Sequence, residues 1–281
     1  MIGLQLIVDA GATKTEWRIV GKGRYNSIFT IGISPYHFTQ KQIEETWQRE
    51  LPKSIFKKEF SAIHYYGTGC YATKNSNMVK KALNNTLKAS KINVTHDTMG
   101  AALALCGREK GVVSILGTGS NSCYFDGKKI VANSPGLGYV LGDEGSGAYL
   151  GKKVIQHYLY KMFDKQLMKS FVDTFQTDGD QILHHTYREP LANRYLATFA
   201  KFLSLHRGHF IIENIIEDGL RDFFNQHLLS YPQHKTYPVH FVGSIAYYFQ
   251  DKISDLCIDF GMTKGKVLKQ PMDGLVAYHS S

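Results

Sequence analysis

Cysteine is scarce and poorly placed for chemistry in this 281-residue chain, since Cys70, Cys106, Cys123 and Cys257 are far apart and form no C-x-x-C pair. That spacing argues against a structural zinc site and against a disulfide framework, and it allows an iron–sulfur cluster only if another subunit supplies ligands. The ordinary reading is four free thiols in or near the core. Long apolar runs are missing too: no stretch approaches the ~18 uninterrupted apolar residues that span a bilayer. The start, Met1-Ile2-Gly3-Leu4-Gln5-Leu6, lacks a basic segment and runs into Asp9. It reads as a buried strand rather than a signal peptide, which points to a cytoplasmic protein.

Concentrated charge is also absent. The formal net charge is +9, but the lysines are scattered (Lys22, Lys41, Lys57-Lys58, Lys80-Lys81, Lys128-Lys129, Lys152-Lys153) and no basic run reaches five. A solvated surface accounts for them better than a nucleic-acid or membrane interface. The twelve histidines show no H-E-x-x-H or other metal spacing, and His184-His185 reads as exposed. There is no G-x-x-x-x-G-K-[ST] loop and no protein-kinase pattern. Gly136-Leu137-Gly138-Tyr139-Val140-Leu141-Gly142 has the look of a dinucleotide fingerprint, but no good strand leads into it and its final spacing is wrong.

What is present is a repeated device. Leu4 to Val8 is apolar, Gly11 breaks the run, and Glu16-Trp17-Arg18-Ile19-Val20 resumes in alternation. Ile63-His64-Tyr65-Tyr66 is a further short strand ending at Gly67-Thr68-Gly69, and a helix is expected from about Asn75 to Ser90. Near residue 110 the pattern restarts. Val112 to Leu116 reads as a buried strand, Gly117-Thr118-Gly119 turns it, and Ser122 to Phe125 continues it to an Asp126-Gly127 hairpin before Ile130 to Ala132. Each half therefore opens with an apolar strand, a glycine–threonine turn and a returning strand. Beyond Glu144 the chain reads as mainly helical, with a strand at Val239 to Val242 leading into Gly243-Ser244.

Asp9-Ala10-Gly11-Ala12-Thr13-Lys14-Thr15 sets a carboxylate beside a glycine and two hydroxyls. Glycine lets backbone N–H groups approach an anion, threonines add donors, and Asp9 would hold Mg²⁺ directly or through water. An ordinary capped hairpin explains this turn alone equally well. Gly117-Thr118-Gly119-Ser120-Asn121 repeats the device with less charge, and the pairing of the two suggests a phosphate clamp.

In chain order, Asp9-Ala-Gly-Ala-Thr-Lys-Thr15, Thr95-His96-Asp97, Gly117-Thr-Gly-Ser-Asn121 and Gly138-x-x-x-Gly142-Asp143-Glu144-Gly145-Ser146 resemble the N-acetylglucosamine kinase branch of the BadF/BadG/BcrA/BcrD ATPase family. That family lies within the sugar kinase–Hsp70–actin superfamily. The resemblance implies an α/β protein with two ribonuclease-H-like lobes, the actin-like ATPase/sugar kinase fold, and a nucleotide cleft between them. It places an N-terminal lobe at 1–108 and a C-terminal lobe with helical additions at 109–281, with a last helix, about 271–281, able to pack back on the first lobe. The implied cofactors are ATP and Mg²⁺, and the implied partner is a small-molecule amino sugar; a homodimer is compatible with the family.

Residue by residue, the resemblance makes Thr13 and its neighbours Gly11, Lys14 and Thr15 the first phosphate contact, and Gly117, Thr118 and Gly119 the second. Gly243 and Ser244 would lie near adenosine, and Asp97 matches the catalytic carboxylate that contacts the acceptor hydroxyl. Gly136, Leu137, Gly138 and Asp143 match the sugar-binding segment, with Asn121 able to assist. Two departures bear on which sugar is bound: Leu137 stands where the family's sugar kinases often have tryptophan, and the segment Gly32 to His37 lacks an asparagine that helps hold the sugar. The bland readings are that Asp97 caps the apolar helix after it, and that Asp143 and Glu144 favour a helix dipole. The expected activity is ATP-dependent phosphorylation of the 6-hydroxyl of N-acetylglucosamine, with N-acetylmuramic acid and glucosamine as other acceptors. Its rivals are an ATPase activator of a radical dehydratase or reductase, and a non-catalytic sugar sensor.

Overall fold

Strand β1 (Gln5–Ala10) is buried along Leu6-Ile7-Val8 without alternation, the burial pattern of a strand covered on both faces. The computed structural model describes residues 3–21 and 27–280, which form two units. In the first (Met1–Glu109, Gly127–Lys129 and Gln270–Ser281), β1 is followed by β2 (Lys14–Val20), β3 (Ser27–Ile31) and helix α1 (Gln40–Glu50). Then come β4 (Glu59–Phe60), β5 (Ala62–Gly67), α2 (Thr73–Thr86), β6 (Lys88–Ala89), β7 (Ile92–His96) and α3 (Asp97–Cys106). The main sheet has the order β3-β2-β1-β5-β7, antiparallel from β3 to β1 and parallel from β1 to β7. Its core is anchored by Trp17, Trp47 and Tyr65, whose rings meet at centroid distances of 5.3, 6.4 and 6.1 Å.

The second unit (Lys110–Asp126 and Ile130–Lys269) opens with β8 (Gly111–Leu116), β9 (Ser120–Phe125) and β10 (Ile130–Asn133). A helical stretch follows: α4 (Gly138–Leu141), α5 (Gly147–Leu159), α6 (Lys165–Phe175), α7 (Gly179–Tyr187), α8 (Ala192–Thr198), α9 (Lys201–Leu205) and α10 (Phe210–Gln226). β11 (Val239–Val242), α11 (Ser244–Tyr248), α12 (Gln250–Asp259) and β12 (Lys264–Leu268) complete it. Its sheet runs β10-β9-β8-β11-β12, again antiparallel on one side of the first strand and parallel on the other. The repeat that the sequence shows only as pattern is therefore a repeat of topology. Helix α13 (Met272–Ser280) returns to the first unit and packs on α3.

Two local expectations change. The helix expected to reach Ser90 ends at Thr86, because Leu87 turns to extended backbone and Lys88–Ala89 pairs with Glu59–Phe60 instead. Asp97 is not the cap of α3. His96 holds that position, its Nδ1 accepting from the Met99 N–H at 3.3 Å, and Asp97 is the first helical residue. Among the described residues no helix is long and apolar enough to cross a membrane.

Candidate active site

Open α/β sheets bind ligands beyond the carboxyl ends of their parallel strands, and both units carry their candidate residues there. In the first unit the ends of β1, β5 and β7 lie in register through Ala10, Gly67 and His96. The residues that follow are the Gly11–Thr13 turn, Thr68 and Asp97. The Thr68 N–H donates to the Ala10 carbonyl at 2.9 Å, and its side chain hydrogen-bonds the Asp97 carboxylate. Asp97 Oδ1 also accepts from the Thr98 N–H at 2.8 Å. Burial nonetheless raises its proton affinity above the usual carboxylate range, against the opposing pull of His96 and these hydrogen bonds.

Asp9 lies within electrostatic range of Asp97. Burial first, then Asp97 and Glu16, push its carboxyl up to about 7, while Lys14 opposes the shift. A half-buried acid whose proton affinity is raised by burial and by a second carboxylate nearby suits a divalent cation, which would displace a proton on binding. Between its ordinary value of 3.8 and about 7, Asp9 stays protonated in the folded chain but ionises in the unfolded one, so stability falls as pH rises through that window. Asp9→Asn is therefore expected to stabilise the cation-free protein above pH 7 by as much as roughly 4 kcal/mol, with the gain vanishing near pH 4. Urea denaturation at several pH values measures this; a gain independent of pH would contradict it.

The remaining residues of that turn diverge. Thr13 is exposed at its tip. Thr15, expected among the phosphate contacts, is fully buried, with Oγ1 donating to the Ile31 carbonyl at 3.2 Å. The Lys14 ammonium lies over the Phe29 ring, 5.1 Å from its centroid.

In the second unit the candidates converge. The Gly117–Gly119 turn is closed by the Gly117 N–H bonding the Gly119 carbonyl at 3.0 Å. It is fixed to α5, whose Gly147 and Ala148 N–H groups donate to the carbonyls of Gly117 and Thr118 at 2.8 and 3.0 Å. Gly119 is glycine for a visible reason: a Cβ there would sit 3.0 Å from Asp143 Oδ2. Asp143 itself is held at φ 58°, a left-handed conformation that costs a non-glycine residue about 1–3 kcal/mol and clusters at functional sites. Burial, with Glu144 adding, pushes its carboxyl up to about 6 despite the Ser120 N–H bonded to it. Asn121 Oδ1 accepts from the Ser122 N–H and Asn133 Nδ2 at 2.8 and 3.1 Å, and its own Nδ2 faces Gly136. Leu137, Val140 and Leu141 beside it are exposed. At the end of β11, Gly243 lies so close to Leu116 and Gly117 that a Cβ would meet the Leu116 carbonyl at 2.2 Å.

Sequence reading misses two residues of these clusters. Thr68 belongs to Gly67-Thr68-Gly69, the same triplet as Gly117-Thr118-Gly119, so its signal lies in the sequence. His227 had none: it holds Glu144 at 3.0 Å from 83 residues away and stacks on Phe223. All four cysteines are buried, and burial pushes the Cys70 and Cys257 thiols up to about 12 and about 11. A cluster shared between two chains needs thiols at a surface, so these positions speak against the radical-enzyme activator.

The fold matches a ROK family glucokinase from Streptomyces griseus, solved with glucose and AMPPNP, at TM-score 0.59 and 15% identity over 99% of this chain and 98% of that one. This is the actin-like ATPase/sugar kinase fold. A solved chain from Porphyromonas gingivalis, described as a "putative N-acetylglucosamine kinase", superposes at TM-score 0.93 with 37% identity over 98% of both chains. An N-acetylmuramic acid/N-acetylglucosamine kinase from Clostridium acetobutylicum is 25% identical over 237 residues, covering 77% of this chain and 76% of that protein. The chain belongs to the N-acetylglucosamine kinase family of sugar kinases. No protein-family model matches it, and the relatives' names say nothing of the BadF/BadG/BcrA/BcrD grouping.

Proposed function

We propose that this protein transfers the γ-phosphoryl group of ATP to the 6-hydroxyl of an N-acetylated amino sugar, N-acetylglucosamine before N-acetylmuramic acid. The observation that carries the reading is Asp97: a half-buried carboxylate with raised proton affinity at the carboxyl edge of the first sheet, in a chain of this kinase family. A sugar hydroxyl is a poor nucleophile, and a carboxylate that orients it and accepts its proton is worth ~10²–10⁴-fold.

The sugar oxygen forms a bond to the γ-phosphorus, the bond to the β–γ bridging oxygen breaks, ADP leaves with that electron pair, and the hydroxyl proton passes to Asp97. Thr13 and the Gly11 turn in the first unit, and the Gly117-Thr118-Gly119 turn in the second, bind phosphate oxygens; Gly243-Ser244 lies beside the nucleotide. Asp143 and Asn121, with Gly136-Leu137-Gly138, bind the sugar. Asp143, with its raised proton affinity, is suited to pair with a sugar hydroxyl. Asp9 would hold Mg²⁺. Mg²⁺ usually takes one or two carboxylates plus substrate phosphates rather than an all-protein cage. The ion supplies neutralisation of charge on the transferred group.

The test is ADP release with Mg-ATP against N-acetylglucosamine, N-acetylmuramic acid, glucosamine and no sugar, with phosphorus NMR locating the phosphate on the product. N-acetylglucosamine should give the highest rate and a 6-phosphate. Failure of every amino sugar to stimulate ADP release would refute the proposal. Sugar binding without ADP release would favour a sensor.

A further inference from the structure

Helix α10 meets segment 142–146 through residues spaced four apart on one side, Gly219, Phe223 and His227. A Cβ on Gly145 would lie 2.8 Å from Phe223 Cβ and 3.3 Å from the Gly219 carbonyl, so the segment sits directly on the helix. His227 completes that face. It follows the last residue of α10, is buried, and stacks on Phe223 with ring centroids 4.8 Å apart. Its Nε2 meets Oε2 of half-buried Glu144 at 3.0 Å, and because an ionised carboxylate only accepts, the imidazole donates. Its Nδ1 is buried with no hydrogen-bond partner among the described residues.

A buried imidazole with one ring nitrogen unpaired does little for stability. The orphaned nitrogen carries its desolvation cost, and an aliphatic side chain would pack on Phe223 as well. Positions that break local rules in this way are expected at functional sites. The contacts show what the ring holds. Glu144 Oε2 lies 3.4 Å from where a Cβ on Gly142 would stand, and that same point is 3.0 Å from Leu137 Cβ. The Gly142 N–H in turn donates to the Gly138 carbonyl at 2.8 Å. Asp143, between Gly142 and Glu144, keeps φ 58° with its carboxylate beside Gly119 and bonded to the Ser120 N–H. Two adjacent carboxylates are thus held by different partners, Asp143 by the turn after β8 and Glu144 by α10. Anchoring the second fixes the backbone on which the first depends.

We propose that His227 is a positioning residue of the sugar site: by holding Glu144 it fixes the strained backbone that presents Asp143 and Gly136-Leu137-Gly138 to the sugar. It acts through Glu144, without a contact of its own to the substrate. A released Glu144 lets Asp143 relax out of its left-handed conformation and carry its carboxylate away from Ser120. The effect falls on sugar binding and not on phosphoryl transfer. This rests on the sugar site proposed above.

The test is ADP release with Mg-ATP at varied N-acetylglucosamine, for the wild type, His227→Leu, His227→Gln, Glu144→Ala and the Glu144→Ala/His227→Leu double variant, each with its melting temperature. His227→Leu should melt like the wild type. Losing one charge-assisted hydrogen bond should raise its sugar KM about tenfold, with kcat and the KM for ATP within about twofold. His227→Gln, whose amide can donate in place of Nε2, should recover most of the loss. Glu144→Ala should match His227→Leu, and the double variant should be no worse than either, because both break one link. An unchanged sugar KM in folded His227→Leu, an equal rise in the KM for ATP, or losses that add in the double variant overturn the role of His227 and leave the kinase reading standing. Should His227→Leu not fold, a normal sugar KM in Glu144→Ala overturns it. A wild type that phosphorylates no amino sugar overturns the sugar site itself, and the role of His227 with it.

Discussion

Asp97→Asn is expected to fold normally and to lose ~10²-fold or more in turnover. The substitution is mild for the structure. Asp97 does not cap α3, since His96 does, and its one strong backbone contact is acceptance from the Thr98 N–H at 2.8 Å, which an amide oxygen can also make. Burial already raises the proton affinity of the native carboxylate, so a neutral side chain should be tolerated or slightly stabilising. What an amide cannot do is accept the sugar's proton. The loss should therefore fall on kcat, with binding of AMPPNP and of sugar little altered. Near-normal turnover in a folded variant would reduce Asp97 to a member of the Thr68–Thr98 hydrogen-bond cluster.

Gly243→Ala should be a strongly damaging small substitution in the second unit. Gly243 sits at φ 124°, which side-chain-bearing residues rarely adopt, and the added Cβ would lie 2.2 Å from the Leu116 carbonyl and 3.0 Å from the Gly117 nitrogen. Backbone strain of about 1–3 kcal/mol combines with overpacking of similar size. A loss near 10 °C in melting temperature is expected, at roughly 2–4 °C per kcal/mol for a domain of this size. Because the clash is with the backbone that leads into Gly117-Thr118-Gly119, nucleotide binding should fall even in the fraction that folds. Gly261→Ala is the control: its φ is also positive, at 63°, but a Cβ there meets nothing within 4 Å. It should cost about 1 kcal/mol and leave binding intact. Equal effects of the two variants would mean that contact with Leu116 is immaterial.

The parts that could be read from the sequence are those whose physics is local. The apolar runs of β1 and β8 and the glycine–threonine turns after them announce themselves, because turn chemistry needs particular residues at adjacent positions. α1 does not: of Gln40–Glu50 only Ile43, Thr46 and Trp47 are buried, a stripe too narrow to give a clear period, and its one sharp signal is the Thr39–Gln42 capping box. β12, Lys-Gly-Lys-Val-Leu, carries two lysines and no alternation of apolar residues, so nothing marked it as a partner for β11. The site divides the same way. Asp9, Asp97 and Asp143 stand out as candidates through their motifs, whereas the contact of Thr68 with Asp97 depends on β5 lying between β1 and β7. The burial of Thr15 could not be read either, because it depends on the register of β2 and not on residue type.

The return of α13 sets an order in time. The first unit begins near the start of the chain, yet Gly274 fits so tightly against Ala104 of α3 that a Cβ would lie 2.4 Å from its carbonyl, and Arg18 on β2 pairs with Asp273. The second unit finds its partners within Lys110–Lys269 apart from a three-residue excursion. During synthesis it has its residues in hand while the first still waits for residues 270–281. The earlier-made half should therefore finish folding last, with the apolar face of α3 uncovered until then.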